Sequence, residues 1–157
     1  MKLLFAIFSL FWALNAYADE IFPAGCRPIT VKDESVKLAA DKPALIMIHN
    51  LSDTELWITH PVDEPNASAG WSSRLQGGNW SALVLNNKSF ELFCVETKPG
   101  HEQQVPCAGV LGVCEWVGMS IAKEDTGTFW AGENMKLSAL TAYIGRRGFV
   151  VPATPAP

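Results

Sequence analysis

The run Pro43-Ala44-Leu45-Ile46-Met47-Ile48-His49 is separated by the polar stretch Leu51-Ser52-Asp53-Thr54 from Leu56-Trp57-Ile58-Thr59, and this pair decides the reading of the chain. Both segments are of strand length and hold β-branched or aromatic residues, and the residues between them are turn-like. The pair therefore reads as a β-hairpin. Centred between residues 52 and 53, it sets His49 opposite Leu56 and His60 opposite Leu45. The two imidazoles then lie roughly 13 Å apart at ~3.3 Å per residue, too far to share a metal ion.

Further strands are expected on either side. Trp80–Leu85 closes at Asn86-Asn87, Phe90–Glu96 has mixed faces, Val110–Val117 is weakened by Gly112, and Thr128-Phe129-Trp130 is a short last strand. Residues 61–79 hold Pro61, Pro65, Gly70, Gly77 and Gly78 around Trp71, and read as a long loop with room for one short strand. Lys98-Pro99-Gly100-His101-Glu102-Gln103-Gln104 reads as a polar loop turning at Pro99-Gly100. After residue 136 the period changes. Leu137, Leu140, Thr141 and Ile144 line one face of a helix at about 137–147. Ser138 or Asn134 is its expected cap, Arg146-Arg147 suit its dipole, and Gly148 ends it. Six or seven short strands plus one helix predict a mostly β chain: an antiparallel, immunoglobulin-like β-sandwich with one C-terminal helix.

The ends carry address signals. Lys2, the apolar run Leu3 to Leu14 and the exit Ala16-Tyr17-Ala18 read as a signal peptide over residues 1–18. Crossing a bilayer takes roughly 17–25 apolar residues, and no other stretch approaches that. The next residue is Asp19 and not cysteine, so no lipid anchor is expected. A single domain then spans residues 19–151, and the Pro-rich 152–157 is expected to be a disordered tail. The predicted address is periplasmic or secreted.

Removing residues 1–18 leaves 11 bases and 16 acids, a net charge of −5. Only Arg146-Arg147 cluster among the bases, which argues against nucleic acid. Cys26, Cys94, Cys107 and Cys114 all lie in the exported part, where an even count points to two disulfides. Three pairings are possible. If 90–97 and 110–117 form a symmetric hairpin, Cys94 faces Cys114 and leaves Cys26 for Cys107. Metal is disfavoured, because the tightest gap, Cys107 to Cys114, is not a ligand spacing. No cofactor is expected.

Catalytic motifs fare poorly. Ser120-Ile121-Ala122-Lys123 has the S-x-x-K spacing of penicillin-binding enzymes, but the companion S-D-N and K-T-G elements are missing. The acids sit at turns and strand ends, as solvated surface does, so no carboxylate pair for sugar hydrolysis stands out. The chain reads as a non-enzyme. Asn50, Asn66, Asn79 and Asn87 each begin an Asn-x-Ser triplet, which we read as ordinary turn chemistry.

Five tryptophans follow the leader. Trp80, Trp116 and Trp130 are expected in the core, and Trp57, alternating with Glu55 and Thr59, on a solvated face. Trp71 beside Arg74 is a candidate for stacking on a partner. The predicted contact surface joins Trp71 and Arg74 to His101, Glu102, Gln103 and Gln104. The alternative is a carbohydrate or peptidoglycan-fragment module using Trp57 or Trp71.

Gly70-Trp71-Ser72-Ser73-Arg74-Leu75, Asn79-Trp80-Ser81-Ala82-Leu83 and Pro99–Cys107 carry a family resemblance, as do Thr128–Met135 and Leu137–Thr141. Over about residues 44–150 the chain resembles the enhanced entry protein B family of Legionella and Coxiella. The resemblance implies export, a Gram-negative source and a role in host-cell entry through an envelope or host protein partner. It brings no catalytic residues.

Overall fold

The computed structural model describes residues 22–60, 71–86, 89–117 and 128–149. The expected leader, the tail, Ser120–Lys123, Asn66 and Asn87 lie outside them. In chain order the elements are β1 (Arg27–Ile29), β2 (Ser35–Ala39), β3 (Ala44–Asn50), β4 (Leu56–His60), β5 (Trp71–Leu75), β6 (Trp80–Leu85), β7 (Ser89–Lys98), β8 (His101–Val105), β9 (Leu111–Val117), β10 (Phe129–Met135) and α1 (Leu137–Arg146). One sheet runs β1-β9-β3-β6-β10, and the other runs β2-β7-β4-β5 with β8 also on β7. All the paired strands are antiparallel. The protein is mostly β, two antiparallel sheets with a C-terminal helix.

The continuous apolar runs explain the layering. On β3, Ala44, Ile46 and Ile48 join Leu83 and Leu85 of β6 and Leu56, Ile58, Leu75 and Leu92 of the other sheet in a core between the sheets. The alternate residues Leu45, Met47, Ala82 and Val84 enter a second core with Trp116, Leu140, Ile144 and Phe149, beneath α1. A strand buried on both faces has no polar side to alternate. Each fully buried Leu or Ile contributes about 1.5–3 kcal/mol.

The expected hairpin of 44–49 with 56–59 does not form. β3 pairs with β9 and β6, whereas β4 pairs with β5 and β7. With both faces apolar, β3 needs neighbours on each side and a cover above and below, so it takes the centre of its sheet. The connection crosses to the other sheet around buried Asn50. Its Nδ2 donates to the carbonyls of Thr54 at 2.7 Å and Leu75 at 2.8 Å, and its Oδ1 accepts from Ser52 N at 2.9 Å. Such a turn-forming Asn is the role expected of the Asn-x-Ser triplets.

The hairpin of 90–97 with 110–117 is also replaced. β7 continues to Lys98, turns at Pro99-Gly100 with Gly100 at φ +83°, and pairs with β8. β9 leaves for the first sheet. Cys94 is therefore bonded to Cys107 and Cys26 to Cys114, correcting the pairing read from a symmetric loop. No cysteine is free. Two disulfides fit an oxidising, extracytoplasmic environment. Among the described residues no helix is long and apolar enough to cross a membrane.

Helix α1 begins after Lys136 with no side-chain cap. Asn134 instead adopts φ +51° and serves the strands. Its Oδ1 accepts from Gln76 N and from Asn79 Nδ2, each at 2.9 Å. Gly148, at φ +87°, follows the helix end as expected.

Candidate functional site

Alternation along the second sheet sends Leu56, Ile58, Leu92 and Cys94 inward, so Trp57, Thr59, Val95 and Thr97 point away from the core. Register then lines up Arg74, Trp57, Val95 and Gln104 across β5, β4, β7 and β8. Two residues along β7, on the same face, Thr97 pairs with Glu102. An open cleft of about 690 Å³ lies here. Its floor is Glu55, Trp57, Arg74 and Thr97, and the hairpin tip from Lys98 to Glu102 forms its wall.

Trp57 and Arg74 are cross-strand partners, with the guanidinium carbon 5.1 Å from the indole centre. The indole Nε1 of Trp57 is buried without a hydrogen-bond partner among the described residues. Glu55 lies 4.0 Å from Arg74 Nε and accepts from Thr97 Oγ1 at 3.3 Å. Lys98 is held by Glu96 at 3.1 Å, and Thr54 Oγ1 also donates to Glu96 at 3.1 Å. The hydrogen bonds from Lys98 and then Thr54 hold the Glu96 carboxyl below its usual range. His101 and Glu102 are exposed at the tip. The Cys94–Cys107 bridge, Cα atoms 5.4 Å apart, ties the strand end beyond β8 to the middle of β7 and fixes the hairpin base.

Of the residues singled out in the sequence, Arg74, His101 and Glu102 line this cleft. Gln103 and Gln104 lie further along β8, opposite Glu96 and Val95. Trp71 is not in a loop: it opens β5 opposite His60, three positions from Arg74. Glu55 and Thr97 were missed as site residues. The Glu55-Leu56-Trp57 alternation was the available signal for Glu55, since it puts Glu55 on the face of Trp57.

The other histidines sit apart. His49 of the first sheet stacks on Trp80 with ring centres 4.1 Å apart, and His60 of the second stacks on Phe90 at 3.9 Å. Burial lowers the pKa of His49, against a backbone hydrogen bond at Gly78 that raises it, and the charge of Lys136 lowers it further. Trp80 and Trp116 are buried, and Trp130 is half-buried against the core between the sheets. Among the described residues no cluster of three or more His, Cys, Asp or Glu side chains is placed to hold a metal ion.

Fold and site define a disulfide-bonded, two-sheet β protein with an open polar cleft across one sheet. Compared with known proteins, the chain matches no family model, no curated protein and no solved structure.

Proposed function

We propose that the protein is an exported, non-enzymatic binding protein of the bacterial envelope, periplasmic or secreted, that contributes to host-cell entry by contacting an envelope or host protein. The observation that carries this reading is the cleft over Trp57 and Arg74, walled by a hairpin whose base is disulfide-bonded. A rigid surface loses less conformational entropy on association. Aromatic and arginine side chains at the centre of a patch are the residue types that dominate protein interfaces. Exposure of His101, Glu102 and Arg74 favours binding over catalysis, which depends on groups withdrawn from water. The resemblance to the enhanced entry protein B family supports the same role.

Trp57 in the floor favours one second reading, a module for carbohydrate or peptidoglycan fragments. Arg74 already lies over that ring, which ranks the protein partner first. The test is capture from envelope extract and host lysate by the mature chain, beside a glycan panel read by tryptophan fluorescence. A captured protein with no glycan response supports the first reading. A glycan response with no captured protein supports the second, and neither response contradicts both.

A further inference from the structure

We infer that Arg74 anchors a carboxylate side chain of the partner in the cleft, an inference that rests on the cleft being the binding surface. The cations near the cleft are not equivalent. Lys98 is already engaged by Glu96 at 3.1 Å. Arg74 is 67% exposed, and its nearest acid, Glu55, reaches only the Nε side, at 4.0 Å. No acceptor among the described residues hydrogen-bonds its guanidinium. Within the described residues the terminal nitrogens therefore keep their capacity for donation.

The Trp57 ring lies beneath the guanidinium, 5.1 Å from its carbon, and Glu55 borders its Nε side. What remains is a planar fork on a half-buried aromatic floor, and a carboxylate matches that fork with two parallel hydrogen bonds. Charge narrows the choice of partner further. The chain after the leader carries −5, and Glu102 also lines the cleft. Strings of acids are repelled by both. The fit is a single carboxylate in an otherwise neutral segment. A cationic segment would have to displace or crowd Arg74.

The test uses the mature, disulfide-intact chain and three blocked peptides, identical except for a central Glu, Gln or Lys. Binding is followed by NMR through the Trp57 indole N–H, assigned by its loss in Trp57→Phe. The Glu peptide is expected to bind about tenfold tighter than the Gln peptide, the scale of one charge-assisted hydrogen bond. Arg74→Gln should abolish that preference. Arg74→Lys should restore it only in part, because the fork is lost. Glu102→Gln should tighten binding of the Glu peptide. Equal perturbation of the indole by all three peptides, or a preference for Lys, overturns the carboxylate anchor while leaving the cleft as a binding surface. Silence from all three peptides counts against both.

Discussion

Cys94 and Cys107 are joined across the base of the β7–β8 hairpin, in a strand pair where Cys94 stands opposite Val105. The bond closes over a sequence separation of 13, whereas Cys26–Cys114 spans 88 and ties the chain before β1 to β9. Digestion without reduction should release linked peptides containing 94 with 107 and 26 with 114. A Cys94–Cys114 peptide would contradict the strand order. Loop-closure entropy predicts that removing the short bridge costs about 3 kcal/mol and the long one about 4–5 kcal/mol, measured by urea unfolding of the paired Cys→Ala variants.

Asn134 is a lock between β10 and the β5–β6 turn. Asn134→Ala deletes the acceptor for Gln76 N and Asn79 Nδ2 and keeps a Cβ at φ +51°. We expect a loss of about 2–3 kcal/mol. Asn134→Gly loses the same acceptor but not the backbone conformation, and should be the milder variant by about 1 kcal/mol. Equal losses in denaturant titrations would show that the left-handed backbone carries no cost there.

Helix α1 approaches β10 at Gly132. A Cβ there would lie 2.5 Å from Leu140 Cδ1 and 3.2 Å from Tyr143 Cδ1. Leu140 is fully buried in the second core, so Gly132→Ala must displace its side chain or shift the helix. A loss of about 1–3 kcal/mol is expected, with faster amide exchange in α1 than in β3.

Acid should weaken the fold in two steps. The folded state lowers His49 below its ordinary 6.5, so the unfolded chain binds the proton more readily. Stability present above pH 6.5 is then lost as pH falls toward the lowered value. Glu96 behaves likewise from its ordinary 4.5 downward. Unfolding midpoints between pH 7.5 and 5 should fall less for His49→Phe than for wild type. A pH dependence unchanged by that substitution contradicts the burial argument.

What was legible in the chain was local. Leu137, Leu140 and Ile144 place the helix, Gly148 its end and Pro99-Gly100 the β7–β8 turn, because each depends on a few adjacent dihedral angles. The pairing of β3 with β9 and of β4 with β7 was not legible. Apolar runs show how many faces are buried but not which distant strand covers them. Both false hairpins came from assuming that neighbours in sequence pair in space, and the disulfide error followed from the second. For the site, Arg74, His101 and Glu102 were visible as polar residues beside turns. Their meeting over Trp57 needed the register of four strands.

We propose that one face of the second sheet, around Trp57 and Arg74, meets the partner. The direct measurement is quantitative mass spectrometry of envelope and host proteins retained by three immobilised chains: wild type, the Arg74→Glu, Glu102→Arg double variant, and a control, Glu133→Lys, at an exposed position of β10 in the other sheet. At least one protein should be retained by wild type and control and lost from the double variant. The same set on all three, or a loss confined to the control, would contradict it.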